Sequence, residues 1–200
     1  MNLKIDNDNK EQIFSEFNRV AKILLNETII KTPCESYLIR EIEFYYFSKN
    51  HLDYYCHKNE RQLSNSRLYF HRFKNFDTYK RLKQKGIDIT IGNNSNHFGG
   101  ILLRTLQNFK TKEIISGIGN ITNKIIDEIG GAKVISTIYE KDYDIFHENS
   151  ILKFIKTKNN KLKIYKRQRI GLNFKKEDSD KFFLMAKYNF FTYPEIEELI

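Results

Sequence analysis

Tyr37-Leu38-Ile39-Arg40-Glu41-Ile42-Glu43-Phe44-Tyr45-Tyr46 is the stretch from which the fold is read. It is rich in Ile, Phe and Tyr, and its period is two, which spells a β-strand. Alternate side chains of a strand share a face. Leu38, Arg40, Ile42, Phe44 and Tyr46 are therefore expected on one side, and Tyr37, Ile39, Glu41, Glu43 and Tyr45 on the other. Upstream, Ile13, Phe14, Phe17, Val20, Ala21, Leu24 and Leu25 recur at helical spacing, which predicts an amphipathic helix over 11–26, and Thr32-Pro33-Cys34 punctuates it. Downstream, strands are expected at 68–73, 87–91 and 100–106, with a loop at Gly92–Asn96. Ser116–Asn120 reads as a turn into a helix capped by Asn120 or Thr122, striped by Ile121, Ile125, Ile126 and Ile129, and stopped by Gly130-Gly131. Short strands at 151–155 and 162–170 flank a polar turn at Thr157–Asn160, and a last strand spans 182–191. With no internal repeat, the pattern gives one α+β domain over 1–200: a curved, mostly antiparallel sheet flanked by helices, with residues 1–30 as an N-terminal helical arm.

Composition narrows the partners. The chain has 200 residues, 40% hydrophobic and 30% charged, enough apolar material for a core. No apolar run approaches the roughly 20 residues of a bilayer-spanning helix, so no membrane is expected. The polar start Met1–Asp8 does not read as a signal peptide, and two cysteines exclude a disulfide scaffold and a four-thiolate zinc site. A reducing, cytoplasmic setting follows as the expectation. Lys and Arg number 34 against 25 Asp and Glu, a net charge of +9 that favours anionic partners. Arg61, Arg67, Arg72, Lys74, Lys80, Arg81, Lys83 and Lys85 cluster in one stretch, interleaved with Tyr69, Phe70, Phe73, Phe76 and Tyr79. Basic side chains neutralise phosphates and aromatic faces stack on bases, so the mixture suits a nucleic-acid groove. A solvated loop anchored by aromatics has the same composition.

The residues able to carry chemistry sit on the strands. Glu41 and Glu43 share a face with Tyr45, and a buried glutamate beside an aromatic can act as a general base. Arg104 stands inside the apolar run Gly100–Leu106, where a charge needs a partner, and Glu43 is the economical one. Glu41 reads as ion-paired or solvated. His51, Cys56 and His57 lack a fourth zinc ligand in register, and the alternative for His57 is a hydrogen-bonded structural histidine.

Taken in order, these residues resemble the alkyladenine (3-methyladenine) DNA glycosylase family. Its Glu-x-Glu-Ala-Tyr strand is similar to Glu41-Ile42-Glu43-Phe44-Tyr45, and its following base-contacting histidine to His57. Its Leu-Tyr-Val-Tyr strand looks like Leu68-Tyr69-Phe70-His71, and its Gly-Ala-x-x-Leu-x-Arg strand like Gly99–Arg104. Its Ser-Gly-Pro turn resembles Ser116-Gly117-Ile118. Its Arg-x-Gly strand and last aromatic strand resemble Arg169-Ile170-Gly171 and Tyr188–Phe191. The order holds from about residue 20 to residue 193.

The resemblance implies a barrel related to the C-terminal domain of tRNA formyltransferases, and a monofunctional glycosylase acting as a monomer on double-stranded DNA with a damaged purine, alkylated or deaminated, and nucleoid-associated when bound. It would excise that purine by base flipping and water attack at the anomeric carbon. Glu43 would activate a water and Arg104 orient it. Tyr45 and Tyr69 would stack on the flipped base, with His57, His71 and Asp88 around it. Arg61, Arg72 and Arg169 would hold phosphates. No metal, cofactor or nucleophilic lysine is implied. Three departures stand out: Phe44 replaces a small residue, the family's wedge pair Tyr-Gly is absent so that Tyr79 is the nearest candidate, and Asp88 replaces a pocket asparagine, which favours protonated or amino-bearing bases. The competing functions are a nucleic-acid-binding module of the same fold, and a metal-dependent nuclease using Glu41, Glu43 and Asp88.

Overall fold

In the computed structural model the described residues are 2–158 and 161–193; Asn159 and Asn160 of the expected turn, and the acidic stretch Glu195–Glu198, lie outside them. The expected strand becomes β2 (Ser36–Ser48), the long central strand of an antiparallel sheet. Around it are β1 (Thr28–Lys31), β3 (His51–Leu52), β4 (Asn65–Phe70), β5 (Ile87–Ile91), β6 (Phe98–Asn108), β7 (Ile114–Ser116), β8 (Lys153–Lys156), β9 (Tyr165–Arg167) and β10 (Asn189–Phe191). The sheet runs β4-β5-β6-β2-β1-β8 and curls into a half-barrel; β10 also pairs with β2, and β9 with β10. The α+β class and the curved antiparallel sheet are as the sequence predicts.

Strict alternation along β2 is corrected by two facing β-bulges. The β2–β6 register steps from Ile39↔Leu106 to Glu41↔Thr105 and then to Ile42↔Leu103. Arg40 on one strand and Arg104 on the other are the extra residues. A bulge flips the face on which the following side chains fall. Tyr37 and Ile39 therefore join Ile42, Phe44 and Tyr46 in the core, and on β6 the core residues change from Ile101 and Leu103 to Leu106. Arg104 and Thr105 are left together on the opposite face with Glu41 and Glu43.

Helix α1 (Lys10–Asn26) is capped by Asn9, whose side chain accepts the N–H groups of Glu11 and Gln12. It is not an appended arm. Phe17 stacks on Phe44 at 4.3 Å between ring centroids and meets Tyr188 edge-on at 5.0 Å, and Ile13, Phe17, Val20, Leu24 and Leu25 are fully buried. Helix α2 (Phe76–Tyr79) is a single turn. Helix α3 (Ile118–Glu128) begins at Gly117, with φ of +93°, rather than at a capping side chain: Asn120 and Thr122 instead bond back to the carbonyls of Ser116 and Ile118. After Gly130-Gly131 the sequence signals a stop, yet a second helix, α4 (Lys133–Lys141), follows directly. The expected strand 182–191 divides into a helical turn, α5 (Phe182–Met185), and β10. The Asp178 carboxylate accepts the N–H groups of Phe183 and Leu184, which draws the chain out of extension. Among the described residues no helix is long and apolar enough to cross a membrane.

Candidate functional site

One register row crosses six strands on the face opposite α1. It reads Tyr69 on β4, Asp88 on β5, Leu102 on β6, Glu43 on β2, Asn189 on β10 and Arg167 on β9, each paired with the next. Side chains in such a row share a face, so residues 146 positions apart become neighbours.

Glu43 is fully buried, and its carboxylate is saturated. Oε1 accepts from the Ile170 N–H at 2.7 Å and Asn189 Nδ2 at 3.0 Å; Oε2 accepts from the Tyr45 hydroxyl at 2.9 Å and Arg104 Nη1 at 3.1 Å. A carboxylate has about four acceptor positions, and all are used. The expected Glu43–Arg104 pair is therefore present. Glu41 is ion-paired to Arg167 at 2.6 Å and also accepts from Asn189 and Thr105. Burial alone would raise its pKa, but these bonds outweigh it and hold the carboxyl below its ordinary range.

Beside this row opens a cavity of about 270 Å³, lined among others by Tyr45, Tyr55, His57, His71, Asp88 and Arg104. Asp88 is its buried carboxylate: Oδ1 accepts from His71 Nε2 at 2.6 Å and Oδ2 from Gln62 Nε2 at 3.0 Å. Gly100 lies so close that a Cβ there would stand 2.3 Å from Asp88 Oδ2, so only glycine leaves this carboxylate its place. Glu41, Glu43 and Asp53 each face an arginine, whereas Asp88 has, among the described residues, only His71 and an amide.

His57 is exposed at the cavity, but its ring is crowded by His71 at 4.5 Å and its Nδ1 meets the Tyr69 hydroxyl at 3.3 Å. Loss of water around the ring, then the neighbouring His71, lowers its pKa to about 4. Tyr69 is buried behind the two histidines, and burial followed by the Asp88 charge raises it to about 12. It is therefore a support for the histidines rather than an open stacking platform, which corrects its expected role. Tyr45 does line the cavity; burial and then the Glu43 charge raise its hydroxyl well above the ordinary value, so it remains a donor to Glu43.

Two expected DNA contacts lie inside the protein. Arg169 is buried and clamps Asp53 with bonds of 2.6 and 3.0 Å, and it also donates to the carbonyls of Phe44 and Phe183. No phosphate can reach it. Tyr79 is fully buried, its ring edge-on to Phe73 at 5.3 Å, so it cannot serve as a wedge. Arg61 donates to Asp142 and to the Leu68 carbonyl and lies over the Tyr139 ring, which occupies its charge. Arg67 and Lys80 are likewise paired, to Asp142 and Asp127, and Lys85 is buried. What remains of the basic stretch is Arg72, Lys74, Arg81 and Lys83, exposed and, among the described residues, without a carboxylate at ion-pair distance. Arg72 and Lys83 also line the cavity.

Gln62, Asn189, Arg167, Asp53 and Tyr55 escape the sequence reading. Asn189 carries the same signal as Arg104, a polar residue inside an apolar strand, here Tyr188-Asn189-Phe190-Phe191. Gln62 and Asp53 give none, because their roles depend on Asp88 and Arg169 folding back onto them. His51 bonds the Tyr46 carbonyl and the Tyr188 hydroxyl, a structural role, and Cys56 is a buried thiol pushed up by burial. Among the described residues no three His, Cys, Asp or Glu side chains cluster as metal ligands would.

The fold and cavity define a half-barrel protein with a charge-laced pocket that opens to the surface. No protein-family model matches the sequence. It is 37% identical over 180 residues to a protein of Acanthamoeba polyphaga mimivirus described as "Uncharacterized protein L759", covering 83% of this chain and 80% of that one. The chain belongs to the same family as this viral protein.

Proposed function

We propose that the protein is a monofunctional DNA glycosylase that takes a flipped purine into the cavity and releases it by water attack on the anomeric carbon. One observation carries this reading: the row across the sheet sets Asp88 in the wall of a base-sized cavity faced by Tyr45, His57 and His71, and Glu43 just behind that wall, hydrogen-bonded to the lining residues Tyr45, Arg104 and Ile170. Rotating a nucleotide out of the stack costs a few kcal/mol, less where damage has already weakened pairing. Inside, the electron-rich Tyr45 ring favours an electron-poor, alkylated base. Asp88, a buried carboxylate that faces no arginine among the described residues, favours a base that presents a 6-amino donor or a positive charge, such as an alkylated adenine, over one that presents a 6-oxo acceptor, such as hypoxanthine. Glu43 would stabilise the oxocarbenium-like sugar by its charge and accept the proton of the attacking water. That second role requires a water to replace one of the four donors. Arg104 is the one with the longest bond, and its side chain faces the cavity.

The saturation of Glu43 favours a second reading, a nucleic-acid-binding module of the same fold that flips and holds a base without cleaving it. Base release from duplexes carrying methylated purines or hypoxanthine, measured in EDTA with wild type and Glu43→Gln, separates the two. Release that is lost in the folded, DNA-binding variant supports hydrolysis by Glu43. Tight binding without release supports the module. Absence of both binding and release removes the nucleic-acid reading altogether. Asp88→Asn should shift preference from amino-bearing to oxo bases by the 1.5–3 kcal/mol of one charged hydrogen bond, roughly ten- to a hundredfold.

A further inference from the structure

The burial of Tyr79 leaves the proposed activity without a residue to hold the duplex open, because a flipped base leaves a gap that must be filled. The turn Arg169–Leu172 presents a candidate. Its base is fixed: Arg169 is clamped by Asp53 and two carbonyls, and the Ile170 N–H is held by Glu43. At its tip the Ile170 side chain is 43% exposed and belongs to no part of the core cluster, although its own backbone is tied down. Gly171, with φ of +77°, turns the chain so that Leu172 follows on the same rim of the cavity, where Ile118 joins them. The cavity wall drawn from the β4–β5 connection is the reverse in character: Arg72, Lys83 and Gln84. A single exposed isoleucine needs no explanation. An apolar, rigidly based tip sharing the mouth of a cavity with cations that face no carboxylate among the described residues does.

We propose that Ile170, backed by Leu172, is the wedge that enters the base stack of a DNA duplex when a nucleotide is drawn into the cavity, while Arg72 and Lys83 hold the backbone. The inference rests on the glycosylase-type reading above, in either its catalytic or its binding-only form. Apolar side chains inserted at a base step partly unstack it, and a β-branched residue loses little rotamer freedom in doing so. The tip and the pocket are mechanically one unit, since the amide that precedes the wedge donates to Glu43 at 2.7 Å. Insertion and placement of the flipped nucleotide are thus coupled through a single residue.

The test uses the full chain and a duplex with one lesion flanked by 2-aminopurine, whose fluorescence rises when it is unstacked, together with the same lesion strand alone. Wild type should bind the duplex and raise the signal. Ile170→Ser should lose the rise and bind the duplex about tenfold or more weakly, with single-strand binding within about twofold, because only the duplex has a stack to open. Ile170→Met, which restores an apolar tip, should recover most of the effect, and Ile170→Thr, which keeps the β-branch but makes the tip polar, should show the same loss and carries the test if the serine variant does not fold. Phe109→Ser, at an exposed aromatic outside the cavity lining, should behave as wild type. Unchanged unstacking by a folded Ile170→Ser overturns the wedge and leaves the glycosylase-type reading intact. Equal loss on duplex and single strand also overturns it, since Ile170 would then be a general contact. A wild type that binds no DNA overturns both.

Discussion

Replacing Arg169 by methionine separates a structural arginine from a phosphate contact. The side chain keeps most of its volume and loses its charge. Asp53, with no exposed side-chain surface, then keeps only the N–H groups of Tyr55 at 3.2 Å and Tyr46 at 3.4 Å, and the carbonyls of Phe44 and Phe183 lose a donor. Removing one partner of a buried ion pair costs about 3–5 kcal/mol, because the other charge stays buried and uncompensated. At about 2–4 °C per kcal/mol for a chain of this size, the melting temperature should fall by roughly 6–20 °C. The double variant Asp53→Leu, Arg169→Met should recover part of the loss, the residue being the two carbonyls at about 1–3 kcal/mol each. Urea unfolding followed by circular dichroism gives the three free energies. A folded Arg169→Met variant that loses less than about 1 kcal/mol, yet binds DNA much more weakly, would refute the buried clamp and return Arg169 to the phosphates.

Gly100→Ala should abolish ligand binding in the cavity, because its Cβ would land 2.3 Å from Asp88 Oδ2 and 2.8 Å from Gln62 Nε2; unchanged binding in a titration would sink that geometry. His57, lowered to about 4, should stay neutral at pH 6. As its folded pKa lies below the unfolded value of about 6.5, its share of stability is complete above pH 6.5 and is lost as the pH falls toward 4. An NMR titration of the imidazole with a midpoint at or above 6.5 contradicts this. Phe17→Ala should cost about 3–5 kcal/mol by opening a cavity against Phe44 and Tyr188. A loss below about 1 kcal/mol in chemical denaturation would mean that α1 is an appendage after all.

The pairing of Glu43 with Arg104 is legible in the sequence, since an arginine in an apolar strand cannot remain unpaired and a glutamate of the right parity is at hand. The strands β2, β5 and β6 and helix α1 are legible for a related reason: their periods are long enough to be distinguished. β1, with four residues, and α4, directly after two glycines, fall below that limit. Asp88 and the cluster of His57, His71 and Tyr45 are foreseen as neighbours through the family resemblance, but not the order in which they stand. Tyr69 moves behind the histidines because its hydroxyl reaches His57 and its ring is covered.

Local sequence determines period, and period determines which residues form strands and helices. It does not determine where a strand bulges, because a bulge belongs to two strands at once. The paired irregularities at Arg40 and Arg104 depend on the register between β2 and β6, and they are what turn Tyr37 and Ile39 inward while gathering Glu41, Glu43, Arg104 and Thr105 on the cavity side. The same holds for the basic stretch. Its charges are read from the chain, but which of them are paired was decided by carboxylates at 127, 142 and 144, far along the sequence and brought near only by the fold. Charge is a property of residues; whether it is spent inside the protein or offered to a partner is a property of packing.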